Sequence, residues 1–251
     1  MSEEITFGGL RKFNAAMGVL HLFQGILMLI LSNASFVTVT YNKPVYVPGS
    51  GITSHAVAFF DVRLGPLVAM FLFISATAHF LLSTVLYDWY VENLKKHINP
   101  ARWIEYTFSA SLMIVIIAML TAIYDFGTLI ALFTLTAVMN LMGLMMEIHN
   151  QTTKQTNWTS YTIGCIAGFV PWLIIFIPFI AAIDVIPTFV IAIFISIAIF
   201  FNLFAVNMVL QYKKFGKWKN YLYGERVYIV LSLVAKSLLA WQVFAGTLRP
   251  G

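Results

Sequence analysis

Charged side chains are scarce in this sequence: 10% of its 251 residues are Asp, Glu, Lys or Arg, whereas 60% are hydrophobic. Soluble domains carry about 25% charged residues. The mean hydropathy is +0.86, and apolar runs of about 20 residues recur along the chain. The composition therefore excludes a soluble protein and predicts a polytopic membrane protein.

Cysteine is scarcer still, since Cys165 is the only one. A single cysteine excludes a disulfide within the chain. This weakens an assignment to the G-protein-coupled receptors, most of which carry a disulfide on their outer side. The sequence also lacks a metal-ligand cluster, a phosphate-binding loop and a nucleophile with an adjacent base at mechanistic spacing. We therefore do not expect an enzyme.

Long apolar stretches are abundant. Seven of them can cross about 30 Å of hydrocarbon at about 1.5 Å per residue. They lie near 13–32, 64–87, 101–124, 128–149, 159–181, 187–211 and 226–248. The sequence shows no internal repeat, low-complexity tract or linker. It therefore predicts an all-α membrane protein in which residues 1–251 form one domain, a bundle of seven transmembrane helices in contact with membrane lipids.

The basic residues are distributed unevenly between the two ends of these helices. With a cytoplasmic N-terminus, most of them fall in cytoplasmic segments, and only Lys43, Arg63 and Arg249 fall outside. Because Lys and Arg accumulate in cytoplasmic loops, we expect a multi-pass protein of the cell membrane with its N-terminus in the cytoplasm and its C-terminus outside. The net charge of +5 then reflects topology and anionic lipid, and no nucleic-acid partner is expected.

The outer segment between the first two helices differs from the rest of the chain. Phe36–Tyr41 and His55–Val62 are rich in β-forming residues, alternate partly, and flank a turn with Pro and Gly. This pattern predicts a β-hairpin. It would serve either as a lid over the bundle or as a dimer contact, and the sequence favours neither.

One lysine, Lys236, lies in the middle of the apolar stretch Val227–Leu248. A lysine at the bilayer centre costs roughly 2.5 to 3.5 kcal/mol, so such residues are rare and usually functional. Helical side chains lean toward the helix N-terminus. The amine is therefore expected near Ser232, at the level of Glu105 on the third helix. Such a pair is either a structural salt bridge or a functional site.

The surrounding motifs favour the functional site. Arg102-Trp-Ile-Glu105 has the Arg-x-x-acid spacing of helix 3 of microbial rhodopsins. Ser232-Leu-Val-Ala-Lys236 resembles their helix 7, although an acid is common where Ser232 stands. Together with the inverted topology, these features resemble the heliorhodopsin family over essentially the whole chain. Further motifs that carry the resemblance are Gly164-Cys-Ile-Ala-Gly168, Pro171-Trp172, Gly224-Glu-Arg226 and Trp241-Gln242.

The resemblance implies a homodimer in which the seven helices enclose all-trans-retinal, covalently bound to Lys236 as a Schiff base with Glu105 as its counterion. A polar cavity near the Schiff base would contain His21 and His79, with Ser75 beside them, although both histidines could instead be hydrogen-bonded parts of the bundle. Expected walls of the retinal pocket are mid-helix residues, namely Met139, Trp172, Phe201, Asn202 and Trp241. A structural ion network is expected from Arg102, Glu147, Glu225 and Arg226.

The distribution of carboxylates argues against a pump. Microbial proton pumps usually place a donor carboxylate eleven residues after the counterion, where this chain has Ile116. The resemblance instead implies a light sensor with a slow photocycle and an unknown cytoplasmic signalling partner. The alternatives are a light-gated proton conductor and a non-photoactive seven-helix transporter.

Overall fold

The computed structural model describes residues 5–248, so Arg249 lies outside the described part. Within it are seven helices long and apolar enough to cross a membrane, one short α-helix, a 3₁₀ helix (Gly216–Lys219), a π-helical turn (Phe244–Leu248) and a two-stranded hairpin. The long helices are α1 (Phe7–Leu31), α2 (Leu64–Ser83), α4 (Pro100–Leu120), α5 (Phe126–His149), α6 (Thr159–Ala181), α7 (Thr188–Tyr212) and α8 (Tyr221–Val243). The predicted seven-helix fold with a hairpin is confirmed.

Polar caps set several helix starts. The Thr6 side chain accepts a hydrogen bond from the Gly9 amide (3.0 Å) at the start of α1. Asn220 accepts one from the Leu222 amide (2.9 Å) at the start of α8. Both helices begin earlier than predicted, because capping satisfies the first amides of a helix without any need for apolar residues there.

A short helix, α3 (Tyr87–Lys95), follows α2 and was not predicted. The second helix, predicted over 64–87, ends at Ser83, and a turn separates it from α3. Tyr90 and Leu94 are the buried residues of α3. At nine residues, α3 is too short to span a membrane at about 1.5 Å per residue. It packs against the bundle at its rim.

The hairpin consists of β1 (Phe36–Val47) and β2 (Gly51–Arg63), paired antiparallel with a bulge between Val39 and Thr40. Its strands are longer than predicted. The Thr40 amide donates to the Tyr124 carbonyl oxygen (2.9 Å), which fixes the hairpin to the end of the bundle where α4 ends. We call this the hairpin end, and we call the opposite end, where α4 and α8 begin, the Glu225 end.

The helices form an incomplete ring. Successive long helices pack closely except α6 and α7, whose backbones stay apart. Aromatic side chains bridge them: the ring centroids of Trp172 and Phe201 lie 5.4 Å apart, and those of Phe179 and Phe194 lie 4.3 Å apart. Helix α6 also contains two internal prolines, Pro171 and Pro178.

Candidate functional site

A buried ion pair lies in the middle of the bundle. The Lys236 amine on α8 donates to Glu105 Oε1 on α4 and to Ser232 Oγ, both at 2.8 Å. Lys236 is 2% exposed and Glu105 is 9% exposed. The amine therefore lies one turn back along α8, as the direction of helical side chains predicts. Two opposite charges removed from water are stable only as such a pair.

The same carboxylate oxygen has a second donor on α2. The Ser75 hydroxyl donates to Glu105 Oε1 at 2.6 Å, and Lys236 Nζ lies 5.1 Å from the centroid of the Tyr106 ring. Polar groups from three helices thus meet at this point: Ser75 from α2, Glu105 from α4, and Lys236 with Ser232 from α8. A single carboxylate balances the lysine charge.

The two predicted histidines meet beside this pair. The rings of His21 and His79 stack with centroids 5.5 Å apart and planes 7° apart. His79 Nδ1 is 2.7 Å from Asn14 Oδ1. Among residues 5–248, neither ring nitrogen of His21 has a hydrogen-bond partner. His21 is fully buried, and a buried imidazole without a hydrogen-bond partner is costly.

An apolar cavity adjoins the lysine. A pocket of about 40 Å³ beside Lys236 shares Tyr106, Met139, Asn140, Phe201 and Phe204 with a cavity of about 880 Å³ bordered by α5, α6 and α7. Ligand pockets typically measure about 300–1,000 Å³. Among the predicted wall residues, the larger cavity is lined by Met139, Trp172, Phe201 and Asn202.

Two glycines keep the cavity open. A Cβ atom at Gly168 on α6 would collide with the Met139 sulfur, and one at Gly143 on α5 would collide with the Trp103 ring. The cavity reaches the lipid-facing surface of α6, where Ile166 and Phe169 are exposed. Because these glycines have no side chain, they leave room between the helices.

Trp241, also predicted for the pocket wall, lines neither part of this cavity. Trp241 is 36% exposed, and its indole Nε1 donates to Gln24 Oε1 on α1 (3.1 Å). Five residues along an α-helix amount to a rotation of about 140°. Trp241 therefore faces α1, whereas Lys236 faces the centre of the bundle.

A second buried ion cluster lies at the Glu225 end. The Arg102 guanidinium forms ion pairs with both Glu147 and Glu225. The Asn99 backbone amide donates to Glu147 Oε2 (2.8 Å), and its side chain donates to Glu225 Oε2 (2.7 Å). This cluster joins α4, α5 and α8.

Arg226 does not take part in the cluster, contrary to the prediction. It is exposed, and its guanidinium lies 5.3 Å from the centroid of the Phe13 ring. Successive residues on a helix point about 100° apart. The neighbour of an inward-facing Glu225 therefore faces outward.

Several residues of the site were missed in the sequence. Tyr106, Asn140 and Phe204 line both parts of the cavity, and Asn14 holds His79. Tyr106 and Asn140 directly follow two predicted residues, Glu105 and Met139. Asn14 is a polar residue inside an apolar helix, and that signal was available. Phe204 gave no comparable signal in the sequence, since aromatic residues in such helices are usually packing residues.

Comparison with known proteins agrees with this geometry. Residues 10–248 match the family model described as heliorhodopsin. A search of curated proteins found no match. The family implies a retinal chromophore and a membrane protein of the rhodopsin type. A match of this extent, on a bundle with seven apolar helices, shows that the chain belongs to the heliorhodopsin family of microbial-rhodopsin-like proteins.

Proposed function

We propose that this chain is a light-sensing photoreceptor that binds all-trans-retinal covalently as a Schiff base at Lys236, with Glu105 as counterion. The observation that carries the proposal is the buried Lys236–Glu105 pair beside an apolar cavity. In its neutral form, a primary amine at that depth attacks an aldehyde; the condensation releases one water, and the imine nitrogen takes up the proton whose charge Glu105 balances. The cavity suits a long apolar ligand. We further propose a slow photocycle, without ion pumping as the primary function.

The residues around the cavity fit retinal. Its walls are predominantly apolar, and aromatic rings from α4, α6 and α7 face it at Tyr106, Trp172 and Phe201. Gly168 and Gly143 leave room that a larger side chain would fill. Retinal, when bound, supplies light absorption and photoisomerisation.

The chain's own groups would stabilise a buried cation at Lys236. Without an opposite charge within about 4 to 6 Å, burial would favour loss of its proton. Glu105 supplies this charge, and Ser75 holds the carboxylate by its 2.6 Å hydrogen bond. Ser232 accepts from the lysine but adds no charge. Movement of the cation away from Glu105 would therefore disturb α2, α4 and α8 together.

The carboxylate distribution supports sensing over pumping. Helices α6 and α7 contain no Asp or Glu, and Ile116 occupies the usual donor position on α4. The charged groups near Lys236 lie toward the Glu225 end, which we propose is cytoplasmic because Lys and Arg are concentrated there. A structural change in this half of the bundle would reach the surface that a cytoplasmic signalling partner could contact.

The homodimer and the membrane orientation are also proposals. Exposed apolar side chains on the hairpin, among them Phe36, Tyr46 and Ile52, support a role in dimer contact. Crosslinking of a cysteine placed at Ile52 in membranes, in a Cys165→Ala background, would test this. A crosslinked dimer is expected, and a monomer at all protein-to-lipid ratios would oppose it.

The test of the main proposal is an absorption spectrum of the purified protein with added all-trans-retinal. We expect a visible band that hydroxylamine bleaches. Lys236→Arg keeps a cation beside Glu105 but has no primary amine, so it should fold and lack the band. Lys213→Ala, at an exposed lysine, should retain it. A folded parent protein without a band would overturn the proposal and favour a non-photoactive transporter.

A light-gated proton conductor is the second candidate, favoured by one observation. A cavity of about 30 Å³ is lined by Glu105 and His79 and also by Arg102 and Glu225, so water there would connect the two ion clusters. Light-induced current under voltage clamp would establish conduction. A visible band without a light-induced current would favour the light sensor over the proton conductor.

A further inference from the structure

A separate cavity lies at the Glu225 end, where α1 and α8 meet at the rim of the bundle. Its volume is about 450 Å³, within the range of about 300–1,000 Å³ that is typical of ligand pockets. Lys12, Phe13 and Ala16 of α1 line it together with Arg226 of α8. It shares no lining residue with the cavities described above. It is therefore distinct from the proposed retinal site.

Two basic side chains border this cavity. Lys12 and Arg226 are both exposed, and the Arg226 guanidinium lies 5.3 Å from the centroid of the Phe13 ring, another of its walls. Among residues 5–248, neither basic group forms an ion pair or donates a hydrogen bond, and no Asp or Glu lines the cavity. Two positive charges therefore border a space whose described walls carry no negative charge.

An exposed apolar face of α1 continues from the cavity toward the hairpin end. Ala16, which lines the cavity, is followed at spacings of four and three residues by Leu20 and Phe23. Residues at these spacings share one face of a helix. All three are exposed, Leu20 at 41% and Phe23 at 57%. The basic groups thus lie at one end of an apolar face, which on a transmembrane helix contacts lipid.

A phospholipid has the same distribution of chemistry, since a charged head group is joined to apolar acyl chains. A guanidinium binds phosphate through paired hydrogen bonds, and a lysine adds a point charge. Basic pockets between transmembrane helices on the cytoplasmic side bind anionic head groups. A zwitterionic head group would bring its own cation toward Lys12 and Arg226, so a net negative charge is favoured. A soluble phosphate would leave the apolar face of α1 unused.

We propose that Lys12 and Arg226 bind the head group of an anionic phospholipid of the cytoplasmic leaflet, with its acyl chains along the face of α1 formed by Ala16, Leu20 and Phe23. Such a lipid contacts α1 and α8 together. Because it binds the folded protein, it stabilises this pairing of helices by mass action. The site goes beyond the photoreceptor proposal and does not depend on it.

The test measures lipid binding to the full chain in an uncharged detergent. Dioleoyl-phosphatidylglycerol is titrated, and native mass spectrometry counts the lipids bound to each chain. We expect one lipid per chain, bound more tightly than dioleoyl-phosphatidylcholine, which has the same acyl chains. Excess inorganic phosphate should not displace it. Equal binding of the two lipids, or displacement by phosphate, would overturn the assignment to an anionic phospholipid.

Charge variants separate this site from a general attraction of lipid to a basic surface. Lys12→Gln and Arg226→Gln should each weaken phosphatidylglycerol binding about fivefold, the effect of one basic residue near anionic lipid. Lys95→Gln and Lys213→Gln remove the same charge from exposed positions at the same end of the bundle, so they should leave binding unchanged. Equal losses in the two pairs of variants would overturn the site.

A shape variant tests the path of the acyl chains. Ala16→Trp fills the cavity without a change of charge and should weaken binding. Ile30→Trp is the control, because Ile30 is also exposed (71%) but lies roughly 21 Å farther along α1, at about 1.5 Å per residue. One leaflet of hydrocarbon is only about 15 Å thick. Undiminished binding by the Ala16→Trp protein would overturn the proposed path.

The acidic residues nearest in sequence, Glu3 and Glu4, lie outside the described part of the chain. Glu3→Gln combined with Glu4→Gln should leave lipid binding unchanged. A large gain in affinity would assign Lys12 and Arg226 to those carboxylates and overturn the site.

Two controls keep these outcomes distinct. Without added lipid, each variant should unfold in detergent like the parent protein, and if Arg226→Gln fails to fold, Lys12→Gln and Ala16→Trp still decide the proposal. Protein prepared without retinal should bind the lipid equally well. Absence of a visible band would therefore contradict the photoreceptor proposal alone.

Discussion

The two buried ion clusters are neighbours on α4, one turn apart at Arg102 and Glu105, yet they are built differently. Arg102 is held between two carboxylates that Asn99 also binds. Lys236 has one carboxylate, a hydroxyl, and an adjoining cavity. The first cluster fastens three helices together, whereas the second leaves space beside the Lys236 amine. The contrast separates an ion network that joins helices from the site at which we propose that retinal binds.

The largest effect is expected from breaking the Arg102 cluster. Arg102→Met leaves two buried carboxylates unpaired and should lower the free energy of unfolding by about 3–5 kcal/mol. Denaturant unfolding in detergent measures this. Arg226→Met, at the exposed neighbouring arginine, is the control and should change little. Similar losses for both variants would refute a structural role for the cluster.

Neutralising Glu105 should alter the spectrum more than any other single change that leaves Lys236 in place. In Glu105→Gln with retinal bound, we expect a shifted absorption maximum and a different pH dependence, because the buried cation loses its balancing charge. Titration from about pH 5 to pH 9 tests this, since a Schiff base without its counterion releases its proton at lower pH. Glu92→Gln, at an exposed carboxylate, should titrate like the parent. An unchanged spectrum would remove Glu105 from the role.

Filling the cavity should weaken retinal binding without touching the ion pair. Gly168→Val places side-chain atoms against Met139, and overpacking of this kind costs about 1–3 kcal/mol. Titration of the protein with retinal measures the loss. Gly8→Val, at a glycine with open space around it, serves as the control. Undiminished binding would show that retinal lies elsewhere.

The smallest effect is expected at Ser232. Ser232→Ala removes one hydrogen bond to the amine, worth about 1 kcal/mol, but no charge. Its absorption maximum should therefore shift less than that of Glu105→Gln. A larger shift than that of Glu105→Gln would mean that Ser232, and not the carboxylate, controls the environment of the amine.

The sequence predicted features that depend on local composition. Seven spans, the hairpin, and the meeting of Lys236 with Glu105 follow from apolar length, alternation and the lean of side chains along a helix. The direction in which a residue faces around its helix was harder to predict from the sequence. Trp241 and Arg226 face outward although their neighbours in sequence face inward. Helix α3 was missed because its nine residues mix apolar with charged side chains and are too few to form an apolar span, and only Tyr87 lies within the predicted stretch 64–87.

The gap between α6 and α7 also could not be predicted, since it depends on how whole helices pack. The contributing residues, such as Gly168 and Trp172, are common in apolar helices. Only their arrangement in space shows that one provides room and the other bridges two backbones.

The prolines of α6 make this wall of the cavity easier to bend than the other walls. Pro171 and Pro178 have no amide hydrogen, so the carbonyl oxygens four residues earlier, at Ala167 and Ile174, lack their usual helical donors. Bending α6 at these points breaks fewer hydrogen bonds than bending any other long helix of the described chain. Helix α6 is therefore the compliant side of the bundle: the cavity can widen toward the lipid while the ion clusters on α4 and α8 keep their geometry.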